Sequence, residues 1–213
     1  MLSRRTILAL CAAAAFGGAA MSGPAAQASP AIGEDAPVFT VKDTKGNDVS
    51  LDSLRGKTIV LEWTNHQCPY VVKHYGAGNM QKLQADAAAD GVVWISIISS
   101  EPGSQGHVSP AKADELTDSR DAKPAHMIID ETGVIGRAYE ARTTPHMFVI
   151  DPEGKLAFMG GIDDKPTADK SSLAGATNYV TLALDAVGKG EPVATPTARP
   201  YGCAIKYAPE ARS

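Results

Sequence analysis

Cys68 closes the stretch Glu62-Trp63-Thr64-Asn65-His66-Gln67-Cys68 and is followed at once by Pro69-Tyr70-Val71, where an apolar run gives way to a helical pattern. A sulfur at the junction of a buried strand and a helix faces unpaired N–H groups and the positive end of the helix dipole, both of which favour negative charge. Its thiolate, the nucleophilic form, should therefore form more easily than that of a free cysteine. The polar neighbours Asn65, His66 and Gln67 speak against an inert buried thiol. Glu62 lies six residues earlier, inside the apolar run. Burial there would raise its pKa and suit it to exchange a proton with the thiol or with a leaving sulfur. An ordinary strand carboxylate with a partner is the competing explanation.

The chain has three cysteines, Cys11, Cys68 and Cys203, in 213 residues. Residues 1–28 read as an export signal: Arg4-Arg5 precede an apolar stretch from Ile7 to Ala20, and Ala26-Gln27-Ala28 offers small residues for cleavage. The paired arginines are those of a twin-arginine signal. The stretch is short and rich in Ala and Gly, below the roughly 20 strongly apolar residues that a membrane span needs. Cys11 follows Leu10 rather than a small residue, which argues against lipidation. Cleavage near Ala28 would remove Arg4 and Arg5 and no acid, moving the formal charge from −4 to −6. It would leave Cys68 and Cys203 in a compartment where disulfides form and persist. Two thiols allow one bridge.

The remaining length suits one domain with one core, predicted over 29–190, with a tail over 191–213 that carries Cys203. Lys and Arg are scattered singly, so no basic face for nucleic acid is present. No membrane span is expected once the signal is gone. No flavin or nicotinamide motif occurs, so no cofactor is expected.

The elements that must position these residues follow from periodicity. Phe39–Asp43 and Asp48–Leu51 flank Lys45-Gly46-Asn47 and predict a hairpin. Thr58–Trp63 is a near-continuous apolar run of the kind shown by a strand buried on both faces, and is the candidate central strand. Pro69 fits the first turn of a helix, which Gly76-Ala77-Gly78 should kink or break before Met80, Leu83 and Ala87 resume the same face. Val92–Ile98 is a second buried strand. Ser99–Pro110 has loop composition, with room to cover the cleft, and Ala111–Arg120 reads as a short polar helix. Met127–Asp130 predicts a strand and Gly133–Tyr139 a weak helix. Met147–Ile150 and Leu156–Met159 predict a hairpin about Pro152-Glu153-Gly154. Leu173, Thr177, Val180, Leu184 and Val187 recur at helical spacing up to Gly188. Pro192, Pro196 and Pro200 make the tail irregular. Alternating strands and helices favour an α/β three-layer domain.

Three motifs together, EWTNHQCPYV, TTPHMFVIDPEGK and PYGCAIKY, resemble exported redoxins of the alkyl hydroperoxide reductase and thiol-specific antioxidant group, over roughly residues 33–207. The resemblance implies a thioredoxin-like α/β/α fold with an N-terminal hairpin, Cys68 as attacking thiol and Pro145 in cis across from it. It also implies that Thr144 offers backbone hydrogen bonds to a bound chain, and it puts Glu62 at the buried acidic position. Electrons would come from a thioredoxin-like protein or a membrane thiol-transfer system.

Two features depart from that pattern. Val71 stands where thioredoxin-type reductases carry a second cysteine, and Asn65 stands where peroxiredoxins carry Thr or Ser, with Thr64 one step earlier. Peroxide and protein disulfide therefore both stay open as substrates. Cys203 is the candidate resolving thiol, condensing with an oxidised Cys68. The rival is a permanent staple, which would contribute about 5 kcal/mol in the chain-entropy model. A peroxide site also wants a cation near the thiolate, for which Arg142 is the nearest candidate to Pro145, ahead of Arg137. Two alternatives stand beside these: a non-catalytic binding module that keeps the fold without turnover, and a metal carrier resting on His66, Cys68 and His74, ligands that suit Cu(I) or Zn. The two histidines read more simply as polar residues on the rim, with His146 beside the same cleft; His107 and His126 carry no signal.

Overall fold

The computed structural model describes residues 29–209. The twin-arginine and cleavage readings lie outside those residues. Two short strands, β1 (Thr40–Lys42) and β2 (Asp48–Ser50), form the predicted N-terminal hairpin. They are followed by β3 (Ile59–Trp63), α1 (Pro69–Gly76), α2 (Asn79–Ala89), β4 (Val93–Ile98), α3 (Pro110–Ser119), β5 (His126–Ile129) and α4 (Val134–Ala138). After these come β6 (Thr143–Thr144), β7 (His146–Ile150), β8 (Leu156–Gly160), α5 (Tyr179–Gly188) and β9 (Cys203–Ala204).

The main sheet has the order β5-β4-β3-β7-β8, with β3 in the middle as the apolar run predicts. β3 runs parallel to β4 and antiparallel to β7. Every residue of β3, β4 and β7 is buried. Successive side chains point to opposite faces, and two cores result. Ile59, Leu61 and Trp63 meet Ile95, Ile97, Phe148, Ile135 and Tyr139 on one side. Val60 and Trp94 meet Cys68, Val71, Met80, Leu83, Val180 and Tyr201 on the other. The architecture is the thioredoxin-like three-layer α/β/α arrangement, and it sets Cys68 at the end of the central strand.

Pro69 occupies the first turn of α1, with Cys68 as its N-cap in extended conformation. The predicted break falls at Ala77-Gly78, where Gly78 takes φ of +73°, a region that suits glycine, and caps α2. Two expectations need correction. The last helix starts at Tyr179 rather than near Leu173: Asn178 accepts a hydrogen bond from the Thr181 amide at 3.0 Å and caps it, while Leu173 belongs to a separate 3-10 turn. The tail, expected to be irregular throughout, is broken by one short strand after Gly202. Cys203–Ala204 then pair antiparallel with β6, in the register Thr143↔Ala204 and Thr144↔Cys203. The three prolines all lie before this strand, so its amides remain available as donors.

Candidate active site

The end of β3, the first turn of α1, the Thr143–Pro145 segment and the tail strand meet around one sulfur. Cys68 is completely buried. Its Sγ–H donates to the Thr144 carbonyl at 3.0 Å, and the Cys203 amide donates to Sγ at 3.4 Å. The Thr144–Pro145 peptide is cis. Both cysteines are free thiols, Cys68 buried and Cys203 half-buried. The register of β6 with β9 therefore brings together two sulfurs 135 positions apart in the chain.

The two thiols are held unequally. Burial alone would push the Cys68 thiol up, but hydrogen bonds from the Cys203 thiol, the Val71 amide, the Thr144 side chain and the Cys203 amide outweigh it and hold the thiol below its ordinary range. The Val71 amide is one of the unpaired donors at the start of α1, as expected of a helix N-terminus. Cys203 goes the other way. Burial, its hydrogen bond to Cys68 and the nearby Cys68 charge push it up to about 11. One sulfur is thus set up to ionise and the other to keep its proton.

Glu62 is fully buried within β3. Its carboxylate oxygens accept from the Tyr75 hydroxyl at 2.9 and 3.1 Å, Trp94 Nε1 at 2.9 Å and the Ser96 hydroxyl at 2.9 Å. Gln84 adds a longer contact at 3.4 Å. None of these hydrogen bonds reaches Cys68, so the network ties Glu62 to α1, α2 and β4. The Arg142 guanidinium bonds to Glu140 at 3.2 Å on the surface and is not among the main influences on the Cys68 thiol. The Arg142 carbonyl instead accepts from the Ile205 amide at 3.0 Å, which extends the tail ladder by one step. His146 lies at the start of β7 with its ring 4.5 Å from that of Phe148, in the core opposite Cys68.

The reading of His74 as a rim residue is corrected: it is wholly buried. Helical periodicity reports one apolar face, whereas α1 is covered on a second side by Ile162–Lys165 and the tail. There His74 Nε2 lies 3.2 Å from the Tyr201 hydroxyl and Nδ1 2.9 Å from Asn79 Nδ2. Lys73, equally buried, lies 3.5 Å from Asp163 and donates to the Lys165 carbonyl at 2.9 Å. Tyr201 donates to Asp163 and stacks edge-on against Tyr70 at 5.7 Å. Sequence reasoning missed this cluster, which anchors the tail two residues before Cys203. The one signal available was the run Pro200-Tyr201-Gly202-Cys203. Among the described residues no three of His, Cys, Asp and Glu gather as metal ligands, and both ring nitrogens of His74 are engaged.

The 99–110 loop folds over the same place. Gly106 donates to Gln67 Oε1 at 3.2 Å, and a Cβ on Gly106 would fall 2.6 Å from the Asn65 side chain. The Glu101 amide donates to the Lys206 carbonyl at 2.7 Å, so the loop grips the tail as well.

Two buried histidines give a pH dependence. Burial, opposed by Asp163 and aided by Lys73, pushes His74 down to about 4; burial and Arg142 push His146 down to about 4. Both are neutral when folded and take up protons on unfolding, so their contribution is complete above about pH 6.5 and is lost as pH falls towards 4. Thermal melts should show a plateau above pH 7 and a steep decline below 6.5, each histidine contributing about 1.4 kcal/mol per pH unit. A flat profile from pH 7 to 4.5 would contradict the burial of both rings.

The fold is that of a thioredoxin-like redoxin, a class of thiol-dependent oxidoreductases, with one free thiol at the start of α1 and another in the tail beside it. The sequence matches the AhpC/TSA family over residues 32–159, and the protein belongs to that family. No curated protein matches the sequence. Among solved structures, an uncharacterized conserved protein from Geobacillus kaustophilus is 27% identical, with a TM-score of 0.72 over 85% of this chain and 94% of that one. A hypothetical protein from Sinorhizobium meliloti 1021 is 24% identical, with a TM-score of 0.71 over 85% of this chain and 97% of that one. A putative thiol:disulfide interchange protein DsbE from Chlorobium tepidum shares the fold at 21% identity and a TM-score of 0.50, covering 62% of this chain and 85% of that one.

Proposed function

We propose that the protein is an exported dithiol–disulfide oxidoreductase in which Cys68 attacks and Cys203 resolves. The observation that carries this is the Thr144↔Cys203 register, with the Cys203 amide 3.4 Å from Cys68 Sγ. The Cys68 thiolate attacks a disulfide RSSR, forming a Cys68–SR bond and releasing RS⁻. Cys203 then loses its proton and attacks the Cys68 sulfur, giving the Cys68–Cys203 disulfide and a second RS⁻, so that two protein thiols are oxidised as one disulfide is reduced to two thiols. The lower pKa of Cys68 suits it to start the exchange and to leave when the bridge is reduced again. A dithiol protein, thioredoxin-like or fed by a membrane thiol-transfer system, would restore the pair by attacking the half-buried Cys203. No helix among the described residues is long and apolar enough to cross a membrane. Export is supported by Arg4-Arg5 and the apolar run ahead of Ala28.

Disulfide exchange is favoured over peroxide reduction because Arg142 is engaged by Glu140 and Asn65 stands where a peroxide-orienting Thr or Ser would be. Non-reducing peptide mapping of the mature protein should find free thiols after mild reduction and a Cys68–Cys203 bridge after a small disulfide is added. Stopped-flow trapping should give no sulfenate burst on Cys68 at micromolar hydrogen peroxide. A burst would turn the reading to a peroxidase, and a bridge that resists mild reductant would make it a staple.

A further inference from the structure

Two sides of α1 face different surroundings. Lys73 and His74 turn to Asp163 and Tyr201 beneath the tail, whereas Val72, Tyr75 and Gly76 line a cavity of about 430 Å³. The end of α3 supplies another part of its wall through Leu116 and Arg120, and His66 and Gln81 line it as well. Neither Cys68 nor Cys203 lines this space, and no step of the exchange described above uses it.

The wall is fixed by contacts of its own. The Gln81 side-chain amide donates to the Tyr75 carbonyl at 2.9 Å and to the Arg120 carbonyl at 2.7 Å, which ties the end of α1 to the end of α3. Arg120 is oriented twice: its Nε donates to the Leu116 carbonyl at 2.9 Å, and its guanidinium stacks over the Tyr75 ring at 4.7 Å. Among the described residues no carboxylate pairs with it, so the terminal nitrogens of the fork keep their donors for another acceptor. Its charge reaches His66, which burial, then Arg120 and Lys112, hold below its ordinary range. The Nδ1 atom of that ring is buried with no partner, which leaves Nε2 as the atom that can meet a ligand. Asp121 is the one acidic side chain in the lining, and it is exposed. Val72, Leu116 and the Tyr75 ring give the cavity its apolar surface.

An oriented guanidinium without a counter-ion, set between aliphatic side chains, matches an acid whose charge is planar and whose body is apolar. We propose that this cavity binds a small organic monocarboxylate with a compact aliphatic body of about four to eight carbons. The carboxylate takes the free donors of Arg120 side by side, and the body lies against Val72 and Leu116. A phosphate dianion would want a second cation, and the nearby Lys112 is engaged by Glu115. The site uses neither thiol, so it stands or falls apart from the disulfide-exchange reading.

Isothermal titration of the full mature protein with isocaproate at pH 7 should give saturable binding with a dissociation constant on the order of 1 mM or tighter. Isocaproamide keeps the shape without the charge and acetate keeps the charge without the body; each should bind about tenfold more weakly or worse. In NMR spectra the acid should shift the amides of Gly76, Ser119 and Arg120 and leave those of Ala204 and Ile205 in place. Arg120→Gln should weaken binding by about tenfold or more, with Arg120→Lys, which keeps the charge and loses the fork, falling between. If Arg120→Gln does not fold, Val72→Asp is read in its place: Val72 is 45% exposed, so the fold tolerates the change, and a carboxylate set against the ligand's own should remove binding. No saturation by about 20 mM, equal binding of acid and amide, shifts confined to the tail, or wild-type affinity in either folded variant overturns the proposal.

Discussion

Cys203→Ser should stop the cycle halfway. With a small disulfide in excess, Cys68 should take up one half of the oxidant and keep it, visible as a stable mass adduct, where the wild type loses both halves and closes its bridge. Multiple turnover should fall by about a hundredfold or more, because an outside thiol would have to replace one already held beside the acceptor sulfur. The first step should survive. A serine hydroxyl still donates to the Cys68 thiolate, and the position-203 amide bond to Sγ belongs to the backbone, so much of what holds the Cys68 thiol low is retained. The mirror variant, Cys68→Ser, should form an adduct on the remaining cysteine much more slowly than Cys203→Ser does on Cys68, because Cys203 stays part-buried, which holds its thiol up, and has none of the helix-start donors that hold the Cys68 thiol low. Adducts that form equally on either cysteine would remove the division into attacker and resolver.

That division was legible in part from local sequence. The apolar run into Cys68 and the proline after it predict a strand, a helix start and a favoured thiolate, all of which depend on neighbours within a few positions. The central place of β3, the break before Gly78 and the hairpin of β7 with β8 were readable for the same reason. The meeting of Cys68 with Cys203 was a matter of counting thiols, since nothing in residues 199–207 declares a partner 135 positions away. Glu62 shows the limit from the other side. Its place in a buried strand was foreseen, but its four bonding partners come from α1, α2 and β4, and only the assembled sheet reveals that Tyr75, Trp94, Ser96 and Gln84 all turn towards it. His74 was misjudged, and Lys73 passed over, because a polar residue on a helix ordinarily marks its wet side. Here the tail and the 162–165 segment form a second cover, and periodicity within α1 carries no trace of it.

That second cover yields the other large effect. Asp163→Asn should destabilise the protein by about 3–5 kcal/mol, because the buried Lys73 side chain would lose its counter-ion. For a domain of this size that lowers the melting temperature by about 10 °C. Lys73→Met should cost a comparable amount, since it strands Asp163, one of whose oxygens already has no hydrogen-bond donor. The double variant should cost clearly less than the sum, with a coupling of about 2 kcal/mol or more, since neither charge is then left without the other. The same cycle also reads the site. Asp163 accepts from Tyr201, and Tyr201 precedes Cys203 by two residues, so losing the carboxylate frees the tail where it approaches Cys68. Alkylation of Cys68 by iodoacetamide in the still-folded Asp163→Asn protein should therefore run faster than in the wild type, whose Cys68 is wholly covered. Additive melting temperatures would mean that the Lys73–Asp163 pair contributes no net attraction, and unchanged alkylation would mean that Tyr201 keeps the tail in place without it.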